Sequence, residues 1–159
     1  MARIGITGHR GLPEATVRLI DRGIREQLAG YDPAETVGVS ALADGADQIF
    51  ARAVLDAGGR LEVVVPAREY RDGLPRDCLA EYDALLSRAA KVHRLDHVRS
   101  DEQAHMAAGE FMLGIIDELF AVWDGKPARG YGGTADVVAL ARARGLPVRV
   151  IWPEGATRD

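Results

Sequence analysis

Short runs of β-branched and apolar residues alternate along this chain with longer stretches whose apolar residues recur every three or four positions. Residues 3–7 (RIGIT), 36–40 (TVGVS), 61–65 (LEVVV), 91–95, 119–123 (LFAVW) and 147–152 (PVRVIW) read as strands. Helical periodicity fills 13–29, 46–57, 77–90, 100–116 and 134–144. Pro13 stands where a first helical turn tolerates it, and Val17, Leu19, Ile20, Ile24 and Leu28 mark one apolar face behind it. Ser100 and Gln103 fit a capping box opening the fourth helix. Residues 67–75 are polar and turn-rich and read as a mobile loop. Strands that are apolar throughout belong to a sheet with helices on both faces. The rhythm therefore predicts an α/β fold: one Rossmann-like, doubly wound, mostly parallel sheet flanked by helices, in a single domain over 1–159.

Composition narrows the function classes. A hydrophobic content of 47% and a charged content of 28% suit a globular chain. The net charge of −4 gives no general attraction to nucleic acid or to an anionic membrane. One cysteine, Cys78, excludes an internal disulfide, and the four histidines lack metal-ligand spacing, so no metal and no cofactor is expected. No signal-peptide pattern and no run of about 18 apolar residues is present, which predicts a cytoplasmic protein without a membrane partner.

In an open parallel sheet, ligands bind beyond the carboxyl ends of the strands. That rule selects the loops carrying Gly8, His9 and Arg10; Ser40, Leu42, Asp44, Gly45, Ala46 and Asp47; Pro66; Asp124 and Gly125; and Gly132, Gly133 and Thr134. The glycines of the last turn let backbone N–H groups approach an anion at a helix N-terminus, and Thr134 adds a hydroxyl. The same turn also reads as a plain helix start with Thr134 as its N-cap. Arg10 offers a guanidinium fork to a phosphate, while His9 reads either as a ligand contact or as a solvated loop residue. Gly45 and Ala46 leave the N-terminus of the second helix open to a phosphate or a ribose hydroxyl, and Asp47 in its first turn reads as part of that site or simply complements the helix dipole. Asp124 suits a ribose hydroxyl or, with Gly125, makes only a turn. Trp123 and Trp152 read as core or rim. Neither GxGxxG nor GxxxxGK[ST] occurs, and no Ser-His-Asp arrangement can be drawn.

Ile6-Thr7-Gly8-His9-Arg10, Ser40-Ala41-Leu42-Ala43-Asp44-Gly45-Ala46-Asp47, Val65-Pro66 with Tyr70, Val122-Trp123-Asp124-Gly125 and Gly132-Gly133-Thr134-Ala135-Asp136 follow one another in order. Taken together they resemble the SLOG superfamily, which groups DNA-processing protein A and Lonely Guy proteins. The resemblance spans nearly the whole chain and implies binding or sensing of a nucleotide or nucleotide-derived ligand, and a homodimer. Lonely Guy members are phosphoribohydrolases that cleave the N-glycosidic bond of nucleoside 5′-monophosphates. Their PGGxGTxxE pattern is broken here, with Arg129 at the proline and Val137 at the glutamate. Under that second reading a carboxylate, Asp136 or else Glu81, would assist the cleavage. A ligand-free interaction scaffold is a third reading.

Overall fold

A computed structural model describes residues 1–158; Asp159, the last residue of the expected 1–159 domain, lies outside the described residues. Six strands, β1 (Ala2–Gly8), β2 (Thr36–Ser40), β3 (Arg60–Val65), β4 (Lys91–Arg94), β5 (Glu118–Val122) and β6 (Val148–Val150), form one sheet. Its order is β4-β3-β2-β1-β5-β6, and every pairing is parallel. The helices are α1 (Glu14–Leu28), α2 (Ala46–Asp56), α3 (Leu79–Ser87), α4 (Glu102–Leu113) and α5 (Thr134–Ala143). The Rossmann-like α/β architecture expected from the alternating pattern is the one present.

Pleating sends alternate residues of each strand to opposite faces. On one face, Ile4 and Ile6 of β1 pack with Ile20, Ile24 and Leu28 of α1 and with Phe50 and Val54 of α2. On the same side, Leu61, Val63 and Val65 of β3 meet Tyr82 and Leu85 of α3. Val37, Val39 and Val64 point the other way, onto Met106 and Met112 of α4 and Val137 of α5. Gly5 and Gly38 let the layers close. A Cβ on Gly5 would lie 2.8 Å from Ile116 Cδ1, and one on Gly38 2.8 Å from Val54 Cγ2. No helix among the described residues is long and apolar enough to cross a membrane.

Three local readings need correction. Asp101, not Ser100, caps α4: its backbone is extended and its Oδ1 accepts from the Ala104 N–H at 2.9 Å. Ser100 Oγ instead lies 2.9 Å from His105 Nε2, and the helix stops at Leu113 rather than Ile116. Residues 67–75 are pinned rather than loose. Ala67, Tyr70 and Leu74 are buried in the core, and the N–H groups of Arg68 and Glu69 donate to His97 O and Val98 O. Finally, α3 is shorter than read, because residues 76–78 form a separate 3-10 turn ahead of it.

Candidate functional site

The sheet order reverses between β1 and β5, so the loops leaving those two strands diverge and open a crevice. A cavity of about 260 Å³ lies there, roofed by α4 and the start of α5. Its walls include Gly8, His9 and Arg10 after β1, Asp47 at the start of α2, Pro66 and Tyr70 after β3, and His105 on α4. Arg129, Gly132, Gly133 and Thr134 line it from the segment before and into α5, and Arg158 reaches it from beyond β6.

His9 is 3% exposed and works inside the wall rather than in solvent. Its Nε2 lies 3.1 Å from the Asp124 amide and 3.2 Å from Asp124 Oδ1. One nitrogen serves only one of these: bare, it accepts from the N–H; protonated, it donates to the carboxylate. Burial lowers the His9 pKa, and the positive charge of Arg158 lowers it further, so at neutral pH the ring is uncharged. Nδ1 stands 3.5 Å from Thr134 Oγ1, which joins the loop after β1 to the start of α5. Trp152 closes edge-on against the imidazole at 5.6 Å, a rim position. Burial alone would raise the Asp124 carboxyl, but the Lys126 N–H, His9 and Arg158 outweigh it and hold it below its ordinary value.

The loop after β2 is shaped by its own hydrogen bonds. Ser40 Oγ donates to Asp47 O and accepts from the Leu42 N–H. Gln48 Nε2 donates to Leu42 O. Leu42 is thereby held at φ 58°, buried, in a conformation that L side chains rarely adopt. Asp44 grips the neighbouring loop: Arg10 Nε donates to its Oδ1 at 2.7 Å and the Gly11 N–H to its Oδ2 at 2.9 Å. Burial would lower the Arg10 pKa, but Asp44 overrides it and keeps the guanidinium charged. Asp47 accepts from the Ala43 N–H through Oδ2 at 3.2 Å. Burial outweighs that bond and the attraction of Arg10, and pushes its carboxyl up to about 7.

Of the residues selected from sequence, Gly8, His9, Arg10, Asp47, Pro66, Gly132, Gly133 and Thr134 line one cavity. Ser40, Leu42, Asp44, Gly45, Ala46, Asp124 and Gly125 do not line it; Ser40 and Asp44 act on the loops that do, through their hydrogen bonds to Leu42, Asp47, Arg10 and Gly11. Gly133, with no side-chain hydrogen bond, is the N-cap of α5, so Thr134 is not the cap. Neither carboxylate proposed for cleavage lines the cavity. Asp136 Oδ2 accepts from the Gly132 N–H at 2.9 Å, and Glu81 of α3 pairs with Arg52 of α2 at 2.9 Å. Tyr70, His105, Arg129 and Arg158 are cavity residues that sequence reasoning missed. In the sequence Tyr70 stands only as a companion of the Val65-Pro66 motif and Arg129 only as a departure from the PGGxGTxxE pattern, and nothing marks His105 or Arg158. Among the described residues no cluster of three His, Cys, Asp or Glu side chains is placed to hold a metal ion.

No protein-family model and no curated protein matches the chain. Solved structures do. DNA processing protein A from Streptococcus pneumoniae is similar with a TM-score of 0.67 at 17% identity, over 94% of this chain and 50% of that one. The same protein from Helicobacter pylori, described in a single-stranded DNA binding mode, gives 0.69 at 14% identity over 98% and 68%. The molybdenum cofactor carrier protein from Chlamydomonas reinhardtii gives 0.56 at 18% identity over 94% and 75%. The chain thus spans half the length of the Streptococcus protein. At these identities the likeness establishes the fold alone, the α/β architecture that these proteins share with this chain.

Proposed function

We propose that this chain binds a nucleotide or nucleotide-derived anion in the cavity between the ends of β1 and β3, α4 and the start of α5. One observation carries the reading. Arg10, Arg129 and Arg158 reach the cavity from three separate segments, in a chain whose net charge is −4. Asp47 is the one carboxylate on its wall among the described residues. Gly132, Gly133 and Thr134 add the N-terminus of α5 to that positive field. The volume, near the lower end of the ~300–1,000 Å³ typical of small-molecule sites, suits one mononucleotide better than a dinucleotide or a strand of DNA. The cofactor-carrier function of one structural neighbour supports small-molecule binding in this fold.

Calorimetry with AMP, GMP, CMP, UMP, cyclic nucleotides and ADP-ribose tests the reading. Saturable binding that weakens in salt and with Arg158→Ala is expected. A folded protein that binds none of them is not a nucleotide-binding protein. A single-stranded oligonucleotide that competes for the site would extend the reading to nucleic acid, as the single-stranded DNA mode described for the Helicobacter protein suggests. Light scattering on the same samples tests the homodimer.

The second reading, hydrolysis of a nucleoside 5′-monophosphate, is favoured by Asp47. A cavity carboxyl that titrates near 7 is suited to general acid–base work. Chromatography for free base decides it. If Asp136→Asn and Glu81→Gln release base like the unmodified chain while Asp47→Asn does not, the chemistry belongs to Asp47. If no base appears, the protein only binds.

A further inference from the structure

The ionisable groups that line the cavity, with the two carboxylates Asp44 and Asp124 beside them, fall into two sets. His9, Asp124, Arg129 and Arg158 interact with one another beside the α5 N-terminus. Arg10, Asp44, Asp47, Tyr70 and His105 interact around the ends of β2 and β3. The nucleotide reading uses the first set and the Arg10 charge. It leaves Asp47 and Tyr70 without a task.

Tyr70 is 4% exposed, its ring held edge-on by Tyr82 at 6.2 Å and His105 at 5.7 Å. Its hydroxyl has no hydrogen bond among the described residues. No fully buried side-chain oxygen or nitrogen in the described chain lacks a partner, so the remaining exposure of this hydroxyl is toward the cavity that Tyr70 lines. Asp47 spends Oδ2 on the Ala43 N–H, which leaves Oδ1 for the same space. Apolar atoms of Val64, Ala108, Met112 and Val137 share this cavity. Two polar oxygens beside an apolar lining suit a flat ring with a polar edge.

We propose that Asp47 and Tyr70 form a proton-donating subsite for an uncharged, acceptor-bearing edge of the ligand, of the kind a nucleobase carbonyl or ring nitrogen presents. The inference rests on the nucleotide reading and adds which end of the ligand lies here. An ionised carboxylate only accepts; a carboxylic acid with Oδ2 accepting from Ala43 donates from Oδ1. The groups that act on Asp47 are Arg10 and Asp44 from the loops after β1 and β2, Tyr70 from the segment after β3, and, through Arg10, His105 from α4. Burial and the negative charge of Asp44 favour the acid. Arg10 opposes it, with part of its charge taken up by its 2.7 Å bond to Asp44.

Calorimetry with AMP, GMP, CMP and UMP at pH 6 and pH 8 tests this on the unmodified chain, Asp47→Asn and Tyr70→Phe, with circular dichroism confirming the fold of each. Asparagine donates through Nδ2 at every pH while its oxygen still accepts from Ala43. Asp47→Asn therefore binds at pH 6 within about 3-fold of the unmodified chain. It also reports the titration of the ligand phosphate by itself. Relative to that baseline, the unmodified chain binds about 10-fold more weakly at pH 8 than at pH 6, because one unit above the Asp47 value only about a tenth remains protonated. Tyr70→Phe weakens binding by roughly 5–20-fold at both values. Identical pH profiles for the unmodified chain and Asp47→Asn, or a folded Asp47→Asn that no longer binds at pH 6, would overturn the subsite while leaving nucleotide binding intact. Unchanged affinity in Tyr70→Phe removes Tyr70 from it. No binding of any probe to any of the three proteins overturns the nucleotide reading and this inference with it.

Discussion

Gly45-Ala46-Asp47 and Gly133-Thr134-Ala135-Asp136 look like two versions of one device: small residues opening a helix, then an aspartate in its first turn. The fold uses them in opposite ways. At α2 the small residues are consumed by packing. A Cβ on Gly45 would lie 2.6 Å from His9 O, and the Ala46 N–H donates to that same oxygen, so no room is left for a ligand. The aspartate of that pair faces the cavity. At α5 the small residues face the cavity, and the aspartate turns back onto its own Gly132 N–H. The lesson is that glycine before a helix signals a close approach but does not say what approaches. At α2 it is the protein's own backbone.

The largest expected effect breaks the packed member of the pair. Gly45→Val places a branched side chain at φ +83° against His9 O and should cost roughly 3–5 kcal/mol in urea unfolding. Gly132 has a similar φ, but its nearest obstacle is Glu102 O at 3.1 Å. Gly132→Ala should cost less, about 1–2 kcal/mol, and lose ligand in calorimetry.

Next come the two aspartates. Asp47 has a folded pKa raised from 3.8 to about 7, so the chain is most stable where Asp47 is protonated in both folded and unfolded states. It loses stability as pH rises from about 4 to 7. Asp47→Asn should therefore stabilise the fold by up to about 4 kcal/mol at pH 8 and by almost nothing at pH 3, as read by urea midpoints. A destabilised Asp47→Asn at pH 8 would show that the carboxylate is welcome where it stands.

The arginines sharpen the cavity side. Arg158→Ala should weaken nucleotide binding about 10–50-fold, equivalent to ~1.4–2.3 kcal/mol, with little change in melting temperature. Asp136→Asn is the smallest effect: one charge-assisted bond to the Gly132 N–H becomes neutral, worth about 1 kcal/mol of stability. If it instead abolishes binding while the fold stays intact, Asp136 acts on the ligand and the contrast between the two helix starts fails.

The fold was legible because its signals are local and repeated. RIGIT, TVGVS and LEVVV are apolar on both faces, as a covered parallel strand requires, and Ile20, Ile24 and Leu28 keep helical spacing. The glycine turn and the loop after β1 were legible through the rule that ligands gather at strand ends. Tyr70, His105, Arg129 and Arg158 were not. Tyr70 lies in a stretch that looks like polar loop because the aromatic pair burying it, Tyr82 and His105, is distant in sequence. Arg158 follows the last strand, where no periodicity exists, and reaches the site through a tertiary tether: Thr16 Oγ1 donates to Thr157 O and accepts from the Thr157 N–H. The same blindness explains the misplaced cap of α4, since Ser100 is engaged by His105 and yields the capping role to Asp101.

The strand order has one further consequence. β1 lies between β2 and β5, and β5 pairs with it across more than a hundred residues of intervening chain, Arg3 O accepting from the Asp117 N–H and Ile4 standing opposite Glu118. The cavity opens where that seam ends, its walls contributed by residues 6–70 on one side and 105–158 on the other. Cut between β4 and α4, the chain becomes two half-proteins, each carrying part of the site. An occupant of the cavity is then a staple between them, and its presence should be felt as slowed amide exchange along β1 and β5. A nucleotide that reunites such fragments would make this fold a ligand-gated split protein.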